Sequence, residues 1–196
     1  MRVSGFILAA GLSVLASTAL SPAYAQLQGN ATQVAEHTVM VGGAPMYPSK
    51  NIVQNAVNSK DHTTLVAAVK AAGLVPTLEG PGPFTVFAPT NEAFDKLPPG
   101  TVATLLKPEN KAMLVQILTY HVVPGRYTTA ELMHMVEVNH GKAMLKTVEG
   151  QPLTITADGD HLYVGGAKGG IAAITVPNVM QSNGVIQVVS SVLQPN

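Results

Sequence analysis

The chain has 196 residues with 11 basic and 11 acidic side chains, no cysteine and no tryptophan. A near-neutral balance without a basic run excludes a nucleic-acid binder and a protein held electrostatically on anionic lipid. The missing cysteines exclude disulfides and a lipoprotein anchor, so the fold must stand on packing alone.

Residues 1–25 read as a secretory signal peptide. Arg2 supplies the positive start, Phe6 to Leu20 is apolar, Pro22 ends the run, and Ala23-x-Ala25 offers the small side chains a signal peptidase needs. The apolar run is shorter than the roughly 20 residues of a spanning helix. Cleavage after Ala25 is therefore expected, leaving a secreted or periplasmic chain with no membrane span. Residues 26–48 read as an N-terminal tail, partly disordered. Gln26 to Thr38 is polar without a clear period, and Gly42-Gly43-Ala44-Pro45 and Pro48 interrupt regular structure. Asn30-Ala31-Thr32 fits a glycosylation pattern and is taken as a chance match.

Residues 49–196 are expected to form one domain, acting as a monomer. Asn51–Asn58 predicts a short helix. Asp61 is placed as the cap of a second helix carrying Leu65, Ala68, Val69 and Ala72 on one face, ended by Gly73. Glu79 to Pro83 is a turn. Phe84–Ala88 is β-rich and predicts a strand closed by Pro89. Thr90 or Asn91 caps a short helix through Phe94, and Pro98-Pro99-Gly100 precedes another at Val102–Leu106. The strongest helix signal runs from Pro108 to about Thr119, with Leu114, Ile117, Leu118 and His121 on one face. Thr128-x-x-Glu131 is a capping box opening a very short helix.

From about Met135 the period changes to two. Leu153, Ile155 and Ala157 alternate inward, and Leu162 and Val164 follow the turn Asp158-Gly159-Asp160. Ile171–Val176 and Gly184–Val189 are nearly all apolar, as strands buried on both faces are. Early helices and late strands, without internal repeats, make the class α+β.

Motifs of chemistry are sparse. Histidines 37, 62, 121, 134, 140 and 161 lack helical i,i+4 pairing and any His-Glu-x-x-His pattern, so they read as scattered surface residues with no metal site. Gly165 to Gly170 lacks the spacing of a phosphate loop and reads as a turn between strands. Nucleophile motifs are absent. Tyr120-His121 stands at a helix-to-strand junction, where backbone groups lose their helical partners. A buried imidazole there is expected to bond such a group, a ligand or catalytic role being the rival. Asn183-Gly184 is read as a turn needing positive φ, its asparagine bonding its own backbone.

Three segments together resemble the fasciclin (FAS1) domain family. They are Thr85-Val86-Phe87-Ala88-Pro89-Thr90-Asn91-Glu92-Ala93-Phe94, Tyr120-His121-Val122-Val123-Pro124-Gly125, and Asn183 to Val189 followed by Val192-Leu193-Gln194-Pro195. Their order and spacing match, and the resemblance covers roughly residues 49–196. It implies a wedge-shaped β-sandwich of about seven strands with helices packed along one edge. It implies an extracellular or periplasmic, non-enzymatic role in cell adhesion, with no cofactor. The partner would be a protein or a cell-surface or matrix component. Thr90, Asn91, Tyr120, His121, Asn183 and Gly184 become the candidate interaction or structural motif. In animal members the Tyr-His segment is linked to integrin binding, and Tyr120 and His121 match it.

The chain departs from the family pattern at three places. Gln187 stands where histidine is usual, Ser190 near a usual acid, and Asn178 where aspartate is common. Some family members are associated with carotenoids, which motivates an alternative: a carrier of an apolar small molecule, lipid or carotenoid. Met113, Met133, Met135, Met144 and Met180 would be its adaptable lining. A secreted hydrolase is a third possibility, testable by whether a Ser or Thr hydroxyl meets His121 in an open cleft.

Overall fold

The computed structural model describes residues 37–196, so the expected signal peptide, residues 26–36 of the expected tail and with them Asn30 lie outside the described residues. Residues 39–46, assigned to the tail on sequence, form a hairpin of β1 (Val39–Val41) and β2 (Ala44–Met46). Its Val41 and Met46 are buried in the core, so the packed chain reaches further toward the N-terminus than Ser49.

Helices follow in quick succession: α1 (Ile52–Ala56), α2 (Thr63–Ala72) and α3 (Val75–Leu78). Asn51 caps α1 through the amide of Gln54, whose side chain returns the bond. Asp61 does not cap α2. It lies in a 3-10 turn, Lys60–His62, and the free amide of Thr64 is met instead by Asn91 Oδ1 at 3.0 Å. Gly73 ends α2 in the left-handed region. After β3 (Phe84–Pro89) come α4 (Asn91–Asp95), α5 (Thr101–Leu105) and α6 (Lys111–Tyr120), then β4 (Val122–Pro124). The helix opened by the Thr128 box, α7 (Thr129–Val138), runs ten residues, well past the expected single turn, because Leu132 and Val136 continue its buried stripe. Its first turn also pins Glu131. Hydrogen bonds from the Thr128 amide and hydroxyl hold that carboxyl below its ordinary pKa.

The remaining strands are β5 (Lys142–Lys146), β6 (Pro152–Asp158), β7 (His161–Gly165), β8 (Ile171–Gln181) and β9 (Gly184–Val189). They join β3 and β4 in one seven-stranded sheet of order β4-β3-β9-β8-β7-β6-β5. The sheet curls until the Val148 amide, just past β5, donates to the Val122 carbonyl of β4 at 2.8 Å. The class is α+β, as read from the sequence.

One strand makes this curl. β8 does not stop at Val176. Its first residues pair with β7 and its later ones with β9, with register shifts at Ile174/Val176 and Val176/Val179. Pro177 cannot donate to a ladder, and Asn178 takes φ 54°, so the strand bulges rather than ends. β8 is accordingly not buried on both faces, whereas β9 is buried at every residue.

The central parallel pair β3–β9 separates two cores. Val86, Ala88, Ile186 and Val188 face a core built with the hairpin and α1, α2, α3, α4, α5 and α6. Phe87 and Val189 face the other, inside the curl, with Leu153, Ile155, Val164 and Leu132. Strands covered on both sides need apolar residues at every position, which explains their unbroken apolar runs.

Candidate functional site

The sequence-marked residues fall on four different joints of the fold, and at each the polar side chain is spent on backbone. Tyr120, at the end of α6, is fully buried. Its hydroxyl donates to the Pro152 carbonyl at 3.0 Å and accepts the Ala167 amide at 2.8 Å, tying α6 to β6 and to the glycine-rich loop. Burial is the main cause that pushes its pKa up.

His121 follows as the C-cap of α6 and is 2% exposed. Its Nδ1 lies 2.8 Å from the Ile117 carbonyl, and its Nε2 lies 2.9 Å from the Leu193 amide. A carbonyl only accepts and an amide only donates, so the ring is neutral with its proton on Nδ1. Desolvation lowers its pKa from 6.5 to about 4, with the Ile117 bond pulling the other way. Both nitrogens are engaged by backbone, and no Ser or Thr hydroxyl bonds either one.

Thr90 caps α4, accepting from the Ala93 amide. Asn91 bridges from α4 to α2: Oδ1 accepts from the Thr63 hydroxyl and Thr64 amide, and Nδ2 donates to the Lys60 carbonyl at 2.8 Å.

Asn183-Gly184 is not the expected positive-φ turn, since neither residue has positive φ. Asn183 reaches away from its own backbone. It accepts from the Ile52 amide at 3.1 Å and donates to the carbonyls of Leu78 and Gly80 at 2.8 and 2.9 Å. One side chain thus staples α1 and the end of α3 to the start of β9. Gly184 is needed for space. It pairs with Phe84 of the parallel neighbour, and a Cβ there would stand 2.1 Å from the Phe84 carbonyl oxygen.

Two further arrangements were not legible in the chain order. The family departures Gln187 and Asn178 meet each other. Gln187, fully buried, accepts the Asn178 amide at 2.9 Å and donates to the Tyr127 carbonyl and to Asn178 Oδ1. Asn178 in turn holds the Thr129 amide and hydroxyl at the start of α7. Ser190, the third departure, accepts the Ala173 amide through its hydroxyl.

The second is His62, which is not a surface histidine: it is 3% exposed. Nδ1 lies 2.8 Å from the Ser59 hydroxyl, while Nε2 has no hydrogen-bond partner. Burial pushes its pKa down. The Ala88 carbonyl and Asp61 oppose this, although no hydrogen bond to Nε2 is made. The ring lines a cavity of about 90 Å³ in the helical core, together with Val41, Met46, Ile52, Leu65, Val86 and Ile186. None of the five methionines proposed as a carrier lining is among its walls. Among the described residues no group of acidic or histidine side chains could hold a metal ion, and no helix is long and apolar enough to cross a membrane.

Comparison with known proteins follows the same lines. A family model described as "Fasciclin domain" matches residues 60–195. The chain is 44% identical over 163 residues to Protein sll1483 of Synechocystis sp., covering 83% of each. It is 36% identical over 145 residues to Immunogenic protein MPB70 of Mycobacterium bovis, covering 71% of this chain and 66% of that one. Among solved structures it matches a FAS1 domain pair from the insect cell adhesion molecule fasciclin I with a TM-score of 0.67 and 18% identity. That match covers 75% of this chain and 51% of the other, and shows a shared fold.

Proposed function

The chain belongs to the fasciclin domain family, and from that premise we propose that it is an exported, non-enzymatic interaction module for cell adhesion or for binding an extracellular protein or matrix component. The observation that carries this reading is how the family-marked side chains are used. Tyr120, His121, Asn183 and Gln187 are all buried and bonded within the chain, mostly to backbone. Side chains spent in this way hold a shape; they do not present a nucleophile, a base or a contact to a partner. Tyr120 and His121 are buried too deeply to be touched as an integrin motif. Binding would fall to exposed side chains such as Met113, Val138, Met144 and Ile171, which are apolar and face solvent. The shared fold with a FAS1 domain pair from a cell adhesion molecule is in keeping with the adhesion role.

The test is attachment. Cells lacking the gene are compared with wild type for surface adherence and aggregation, with purified protein added back. Restoration by added protein supports the reading, and unchanged adherence in the deletion strain refutes it. The carrier reading has one observation in its favour, the apolar cavity, but about 90 Å³ is too small for a carotenoid.

A further inference from the structure

A strand in a one-sided sheet buries alternate side chains and offers the others to water, where polar residues are expected. β5, β6, β7 and β8 turn Leu145, Ile155, Val164 and Ala172 into the core inside the curl. The side chains between these point outward and belong to neither core. Yet the two most exposed large apolar side chains among the described residues stand on this outer face, Met144 at 61% and Ile171 at 67% exposure. The strand register sets the outward residues in rows. Met144, Thr154, Gly165 and Ile171 lie side by side across the four strands, and Lys142, Thr156, Tyr163 and Ala173 form the next row. Lys146 and Pro152 lie beyond the first row, and Asp158 and His161 beyond the second. The face therefore has a basic end and an acidic end.

This pattern is complementary to itself. A two-fold axis in the plane of the face, running across the strands between the two rows, lays each strand over its own copy in reverse. On β7, Tyr163 of one copy then meets Gly165 of the other, which has no side chain to fill the space between Thr154 and Ile171. On β8, Ile171 meets Ala173, and on β5, Met144 meets the flexible stem of Lys142. Each large outward side chain thus faces a small or yielding one. The ends agree as well. Pro152 comes over Asp158, so Lys146 beside it approaches Asp158 of the second copy, and the contact is made twice. Both side chains are exposed, and neither belongs to an ion pair within the described residues. A two-fold along the strands would instead set the basic end on the basic end and Met144 on Ile171, large on large.

We infer that the outer face of β5, β6, β7 and β8 binds a second copy of this chain, sheet against sheet, through a two-fold that seats Tyr163 over Gly165 and Lys146 beside Asp158. Four strands about 4.8 Å apart, each spanning some seven residues of about 3.4 Å, give a face of roughly 450 Å² per copy. A standard stable interface buries about 800 Å² per partner, so this pairing is weak and reversible, and the chain is a monomer when dilute. The inference rests on the adhesion reading and narrows it to one face and one partner.

The test is sedimentation equilibrium of the chain from Gln26, over a concentration series reaching the millimolar range, with ¹³C-methyl NMR of the same samples. The mean mass should rise from monomer toward dimer, and concentration-dependent shifts should fall on Met144, Thr154, Thr156 and Ile171. Gly165→Val should abolish association and leave the fold intact. A Cβ there meets only Thr154, at 3.6 and 3.7 Å, which is ordinary contact, but it fills the place of Tyr163 from the second copy. Lys146→Glu and Asp158→Lys should each weaken association several-fold, and the double reversal should restore it. A mass that stays monomeric throughout would overturn the pairing. So would shifts centred elsewhere, such as at Met113, or a Gly165→Val protein that associates as tightly as wild type. A monomer in which residues 26–36 show NOEs to the Ile171 methyls would put that segment on the face and overturn it too. Because association is measured in solution, monomeric protein that still restores adherence would sink the pairing and leave the adhesion reading standing.

Discussion

Acid should destabilise this domain through His121 in a way that can be calculated. In the unfolded chain an imidazole takes up its proton near pH 6.5, whereas the buried ring does so only near 4. Between those values the unfolded state binds more protons, so stability falls as pH falls. Above 6.5 the ring is neutral in both states and contributes no pH dependence. The interval corresponds to a loss of about 3 kcal/mol by pH 4, at about 1.4 kcal/mol per unit. The structural event is local. A proton on Nε2 would face the Leu193 amide, donor against donor, at a contact now 2.9 Å long. The segment from Val192 onward should detach first, with Leu193 leaving a fully buried place. The assay is urea unfolding at pH 7 and at steps down to pH 4, beside His121→Asn. Asparagine keeps a donor for Ile117 and orphans the Leu193 amide, so it should cost about 1–3 kcal/mol at pH 7. It should also flatten the slope between pH 6.5 and 4. His62, also shifted down, and Glu131 titrate in both proteins, so the difference between them isolates His121. An equal slope in the two proteins, or an NMR midpoint for His121 near 6.5, would refute the reasoning.

Four other substitutions probe the joints. Phe87→Ala removes a fully buried ring from the core inside the curl and should cost about 3–5 kcal/mol, seen as a lower urea midpoint. Gly184→Ala forces a Cβ against the Phe84 carbonyl, which is backbone and cannot swing aside. A loss of about 3 kcal/mol is expected, and a thermal midpoint within a degree of wild type would contradict the parallel β3–β9 register. Asn178→Asp with Gln187→His should behave as a coupled pair, because the two side chains meet at 3.3 Å. A double-mutant cycle by chemical denaturation should give at least about 1 kcal/mol of interaction, and additive single effects would show the contact to be energetically empty.

The three family departures illustrate what could be read without a structure and what could not. Each could be recognised against the pattern of the family it resembles as a loss of charge, but positions 178 and 187 could not be seen to be neighbours. They lie nine residues apart on strands joined through the Ser182–Asn183 turn, and the bulge at Pro177 decides which residues end up opposite. The sequence places a strand at Ile171–Val176, where its apolar run ends, and proline at 177 removes a ladder donor. The tertiary structure absorbs that loss in a bulge whose amide at Asn178 is met by Gln187. Asn183 failed in the same way. Asn-Gly between apolar runs is a sound local signal for a tight turn, yet here its partners are Ile52, Leu78 and Gly80, about a hundred residues or more away.

What the sequence determined by itself is the local and the periodic. The Thr90 and Thr128 caps, the left-handed Gly73, the stripe Leu65-Ala68-Val69-Ala72 and the alternation of Leu153 and Ile155 are consequences of backbone geometry within a few residues. The order of the three motif segments carried the family as well. What only the tertiary structure decided is where long-range partners fall. His121 stands out by its helix-to-strand junction, but His62 looks like the four remaining histidines in sequence, because burial is a property of what the rest of the chain puts around a side chain. The hairpin at 39–46 reads as a breaker-rich tail until Asn55 binds both the amide and the carbonyl of Tyr47 and draws Met46 into the core. The cavity beside His62 is set by the fit of three short helices against β3, a residual of packing that no window of sequence contains.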